Sequence, residues 1–142
     1  MAWHRLLLVV SLFISTPAVG QPTPFDALAA SSEIIKDLAR QDIDAAAAAT
    51  SKLMEATPAD RLHGTFRFVK DLGPGQYTDL VYARDYGHSE KDVIYKIDFT
   101  KNFLFVRFLY HVDNGAWHLI HIQLKTEDEL PFPRDWTHIY PQ

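Results

Sequence analysis

Hydrophobic and polar positions alternate most regularly over residues 93–124, VIYKIDFTKNFLFVRFLYHVDNGAWHLIHIQL. This period of two predicts three antiparallel strands joined by two tight turns. The second turn is marked by Asp113-Asn114-Gly115, since Asn and Gly both accept the positive φ of a type I′ hairpin. With Asn114-Gly115 as its loop, Val112 faces Trp117, Tyr110 faces Leu119 and Phe108 faces His121. With Lys101-Asn102 as the first loop, Phe99 faces Leu104, Ile97 faces Val106 and Tyr95 faces Phe108.

Alternation then sorts side chains onto two faces. The core face carries Val93, Tyr95, Ile97, Phe99, Leu104, Val106, Phe108, Tyr110, Val112, Trp117 and Leu119, with His121 as one polar intruder. The other face is mixed: Ile94, Lys96, Asp98, Phe103, Phe105, Arg107, Leu109, His111, His118, Ile120, Ile122 and Leu124. A slip of one residue in the first loop would exchange the faces of 93–99.

Upstream the period lengthens. Phe25, Leu28, Ser32, Ile35, Leu38 and Ala39 recur at helical steps and predict a first helix that ends near Arg40-Gln41. A second begins at Asp42 as N-cap and runs through Ala45–Ala49 to Leu53 and Met54; the alanine run favours helix and close approach. Thr57-Pro58-Ala59-Asp60 reads as the start of a third, with Thr57 as N-cap. Leu62, Phe66, Val69 and Leu72 continue it until Gly73-Pro74-Gly75 stops it. Residues 65–69 also fit a strand, but the signals at both ends favour helix. Residues 77–86, YTDLVYARDY, are the next strand, and Gly87–Glu90 is a turn. Helices followed by hairpin-linked strands define an α+β domain of about four strands, with helices across one face of a curved antiparallel sheet.

At this order of elements the chain resembles the nuclear transport factor 2-like (cystatin-like) superfamily. The residues that carry the likeness are Tyr95-Lys96-Ile97-Asp98-Phe99, Phe103-Leu104-Phe105-Val106-Arg107-Phe108, Tyr110, and Gly115-Ala116-Trp117-His118-Leu119. They are similar to that group's last three strands, and the likeness covers about residues 25–125. It implies a cone-shaped fold and frequent dimers through the sheet. It does not imply one chemistry, because members include isomerases, dehydratases, cyclases and non-catalytic modules. The chain departs from the usual form in having no strand between the helices.

Residues 1–20 read as a secretory signal peptide: Arg5, an apolar run from Leu6 to Ile14, and Ala18-Val19-Gly20 before the cut. The run is shorter than the roughly 20 residues of a membrane span. Cleavage removes one positive charge and takes the net charge from −4 to −5. The domain then covers 21–126, with 127–142 as an irregular tail packed on it. The absence of cysteine excludes disulfides and Cys-ligated metal, and suits a bacterial periplasm better than a eukaryotic exterior. A pI near 5.9 without a basic stripe argues against nucleic acid. No phosphate loop or Gly-x-Ser-x-Gly elbow is present, and no cofactor is implied.

Three constellations remain. Tyr95, Phe108, Tyr110, Trp117 and His121 share the core face, as a ligand-binding lining or, with His121 as base beside Tyr95 or Tyr110, as a catalytic set. The bland alternative for His121 is a core histidine bonded to backbone or to a tyrosine. His111 and His118 face each other across the hairpin as a pair of metal ligands or as two exposed histidines. Arg107, Lys96 and Asp98 form an anion site or a solvated cluster. The apolar part of the mixed face needs a cover: the tail, a second copy or a ligand. The expectations are a secreted, non-catalytic module that binds an apolar small molecule or a protein, with possible homodimerisation through the sheet face; a small isomerase, dehydratase or hydrolase; or a structural envelope protein whose only ligand is itself.

Overall fold

Asp26 opens the first helix, its carboxylate accepting the Ala29 N–H at 3.0 Å. The computed structural model describes residues 24–126. The signal peptide and the tail expected at 1–20 and 127–142 lie outside them.

Helix α1 spans Ala27–Ala39 and buries Ala27, Ser31, Ile34, Ile35 and Leu38. This stripe is rotated from the expected one, and Leu28 points to solvent. The cause is the start: Phe25 precedes the N-cap, so the helical period counts from Ala27. Helix α2 spans Ile43–Met54 with Asp42 as N-cap, as expected, its side chain accepting from the Ala45 N–H. Gln41, at φ 59°, joins the two helices, and its side-chain amide donates to the carbonyls of Val69, Lys70 and Gly73.

Helix α3 spans Ala59–Phe66 and continues as a 3-10 segment, Arg67–Leu72, which settles residues 65–69 as helical. Its N-cap is Pro58 rather than Thr57. The Thr57 carbonyl accepts the Ser51 hydroxyl instead, and the extended Pro58 carbonyl receives the first helical N–H groups. Gly73, at φ 81°, ends the segment.

Four strands follow: β1 Gly75–Tyr86, β2 Glu90–Phe99, β3 Phe103–Asp113 and β4 Ala116–Thr126. They form one antiparallel sheet in the order β1-β2-β3-β4. The fold is α+β, with three helices on one face of a curved, open sheet. Helix α1 packs over β1 and β2, and α2 over β4. The covered face is that of Val93, Ile97, Leu104, Val106, Phe108, Tyr110 and Leu119, all in the core with Phe66 and Val69. At Gly75 the sheet meets the end of α1 so closely that a Cβ would lie 2.5 Å from the Ala39 carbonyl oxygen. No helix among the described residues is long and apolar enough to cross a membrane.

The second turn has the expected form, with Asn114 at φ 49° and Gly115 at 80°. The first closes one residue earlier than expected, on Thr100-Lys101, which moves every cross-strand partner by two. Ile97 pairs with Leu104 and Tyr95 with Val106, and the Phe99 N–H donates to the Asn102 carbonyl at 2.8 Å. A shift of two preserves every face.

Beyond Leu119 the expected register fails. Leu109 pairs with His121 while Tyr110 pairs with Leu119, so Ile120 is a bulge without its own partner. From there Phe108 faces Ile122 and Val106 faces Leu124. Regular alternation would have turned His121, Gln123 and Lys125 inward. The bulge turns in Ile122 and Leu124, which pack against the core. Burying two aliphatic side chains is favourable, and burying three unsatisfied polar ones is costly.

Candidate functional site

The bulge decides the fate of the expected core-face site. His121 is exposed on the face away from the helices, across from Leu109. Its expected place on the inner face beside Tyr95 and Tyr110 is therefore corrected, and the set of His121 with either tyrosine does not assemble. Phe108 and Tyr110 are fully buried. The Tyr110 hydroxyl and the Ser31 hydroxyl share a buried hydrogen bond of 2.8 Å. Burial pushes the Tyr110 phenol up to about 12, against the opposing effect of the Ser31 bond.

Tyr95 and Trp117 come nearer the surface. The Tyr95 hydroxyl reaches the Leu28 carbonyl at 3.4 Å. Burial, then the Asp26 charge, raise its pKa, and Lys36 opposes them. Trp117 stacks on Phe25 at 5.7 Å, and Phe25 meets the edge of Tyr110 at 5.2 Å. Lys91 lies over the Trp117 ring, 5.2 Å from its centre, and pairs with Asp85 at 2.8 Å.

Phe25 and Lys91 also line an open cleft of about 590 Å³ between the start of α1 and the strands β1 and β2. Leu28, Ala83 and Val93 give it apolar walls, and Asp26, Arg84 and Asp85 add charge. The volume lies within the range of small-molecule sites, which combine apolar walls with a few polar groups. The sequence reading missed Lys91. Two steps back from Val93, the alternation of β2 already puts it on the inner face.

The cross-strand pair His111 and His118 forms in the expected register. It lines a second cleft of about 630 Å³ with Met54, Thr57 and Ile120. Each imidazole has its own carboxylate: His118 Nδ1 lies 3.3 Å from Glu55 and His111 Nδ1 lies 3.8 Å from Glu90. Among the described residues no group of three His, Asp or Glu is arranged to hold a metal ion.

On the outer face, Arg107, Lys96 and Asp98 do not form one cluster. Arg107 Nε and Nη2 donate to both carboxylate oxygens of Asp92, which is only 1% exposed. That bond raises the guanidinium pKa further. Lys96 pairs with Asp98 at 2.6 Å and covers the Phe103 ring. Asp92 precedes the stretch from which the strand was read, so its pairing was missed.

The sequence matches no protein-family model and no curated protein.

Proposed function

We propose that the chain is a secreted or periplasmic, non-catalytic binding module of nuclear transport factor 2-like type, released by removal of residues 1–20. Its ligand is a small molecule with an apolar body and a polar end, held in the cleft at the start of α1. The observation that carries this reading is the union of Phe25, stacked on Trp117, with Lys91 over the same indole, at a cleft of ligand size. An apolar ring or chain would lie along Phe25, Leu28 and Val93. A polar end would reach the Lys91–Asp85 pair, whose charges are exchangeable partners for a ligand group. The buried Tyr110–Ser31 bond closes the interior behind this wall, so the ligand stays at the surface.

Native mass spectrometry of the mature chain from residue 21, with a titration by anilinonaphthalene sulfonate, tests the reading. A retained small mass, or one saturable site for the probe that Phe25→Ala weakens about tenfold, supports it. A bare mass together with probe binding that ignores Phe25→Ala refutes it.

A further inference from the structure

Four of the six exposed large hydrophobic residues among those described gather along β1: Tyr77, Leu80 and Tyr86 on the strand and Leu28 on the adjoining helix. Tyr77 is 71% and Leu80 48% exposed. Strand β1 is 12 residues long, and among the described residues it pairs only with β2 and leaves its other side open. Natural edges are usually protected by charges and bulges, and β1 has both. Its charges, however, match the strand itself. Asp79 has no ion-pair partner among the described residues, because the Lys96 opposite it pairs with Asp98. Arg84 stacks on the Tyr86 ring at 4.9 Å and has no ion-pair partner among the described residues.

The bulge makes the match geometrically consistent. The register shifts between Leu80 and Tyr82, so Val81 is the extra residue. Before it Tyr77 and Asp79, and after it Tyr82, Arg84 and Tyr86, oppose Asp98, Lys96, Ile94, Asp92 and Glu90 of β2. All five therefore lie on the outer face. Two antiparallel copies related by a two-fold axis through the sheet must pair residues of the same face. In a regular strand that forbids pairing an odd position with an even one. Across the Val81 bulge it is allowed.

We infer that β1 is a self-pairing edge, and that its occupant is the β1 of a second copy of this chain. The axis passes between Val81 and Tyr82. Asp79 of each copy faces Arg84 of the other, Tyr77 faces Tyr86, and on the inner face Leu80 meets Ala83 beside Leu28. Two ion pairs, two aromatic pairs and two apolar contacts form at once, with the backbone bonds that complete the edge. Registers that place Asp79 or Arg84 opposite itself set like charges together. Strand β4, the other edge, has His118, His121 and Lys125 without an acidic residue over its described length, so its own copy offers no such match. The inference does not rest on the ligand reading above, although its seam shares Leu28, Ala83 and Arg84 with the wall of that cleft.

The absence of native cysteine makes disulfide trapping in the full chain clean. Opposed Cβ atoms in this register lie about 5 Å apart, within reach of a disulfide after small adjustment. A mixture of Leu80→Cys and Ala83→Cys chains is expected to oxidise to a one-to-one covalent dimer. Either variant alone should cross-link no more than the exposed Lys52→Cys control. The unsubstituted chain should sediment as a dimer, and Asp79→Arg should weaken that dimer about tenfold. A monomeric unsubstituted chain, equal cross-linking by mixture and single variants, or a dimer that ignores Asp79→Arg and is trapped instead by Leu109→Cys on the sheet face would overturn it.

Discussion

Among the described residues the two outer strands, β1 and β4, are both open edges and both bulged, yet they are held in different ways. Strand β4 is fixed by its side chains. Leu119 is buried against Tyr110, and Trp117, Ile122 and Leu124 pack on the core below α2. Strand β1 has almost no buried side chain. It is held by its ladder to β2, by contact with α1 and by the tight passage of Gly75 past Ala39. One edge is part of the core, and the other is a backbone platform with a surface free for other use.

That difference predicts unequal sensitivity. Leu119→Ala in β4 removes a buried side chain opposite Tyr110 and should cost about 2–5 kcal/mol in urea unfolding followed by circular dichroism. Leu80→Ala in β1, compared at a dilution that keeps both chains monomeric, should stay within about 0.5 kcal/mol. Equal losses would erase the distinction.

Tyr110 sharpens it, because the side chain that Leu119 faces is also the strongly shifted titrating group. Its folded pKa is raised from 10.0 to about 12, so the folded state holds the proton more tightly than the unfolded state. The contribution is fully present below pH 10 and is lost as pH rises from 10 through about 12. Its size is about 2–3 kcal/mol. Urea midpoints at about pH 9 and about pH 11.5 should fall for the native chain and fall less for Tyr110→Phe.

At the other edge the comparable weak point is glycine. Gly75→Ala forces a methyl group against the Ala39 carbonyl, where backbone rather than a flexible tip must move. A loss of about 1–3 kcal/mol is expected, with β1 amides losing hydrogen-exchange protection before those of β3. Uniform loss of protection would show that β1 is no less firmly held than the centre.

The same contrast explains what could be read from the chain. The inner faces of β2 and β3 were legible because burial enforces alternation: Val93, Ile97, Leu104, Val106, Phe108 and Tyr110 fall where the period puts them. The Asn114-Gly115 turn and the Asp42 cap were legible because each depends on local backbone chemistry. Positions after a bulge were not, since no turn or cap residue marks where a one-residue offset reverses the parity. The signal for β4 was indirect: His121, Gln123 and Lys125 would all have pointed inward. In β1 even that signal is missing, because few of its side chains are buried and none penalises the wrong face. The cleft residues Phe25 and Lys91 lie far apart in the sequence, before α1 and at the start of β2, and only packing brings them beside Trp117.

The smallest expected effect tests the bulge itself. Deleting Ile120 leaves Leu119 opposite Tyr110, His121 opposite Leu109 and Ile122 opposite Phe108, which are the pairs already present. The deletion should turn an interrupted ladder into a continuous one without moving a buried side chain. Ile120 is 49% exposed, so little apolar burial is lost with it. The expected change is about 1 kcal/mol or less. Cross-strand NOEs between His121 and Leu109 should persist, with Ile122 still near Phe108. If instead Ile122 loses its place beside Phe108, the strand beyond Leu119 needs the bulge itself to reach the core. The bulge would then be a structural requirement of β4 rather than a one-residue excess that burial of Ile122 and Leu124 tolerates.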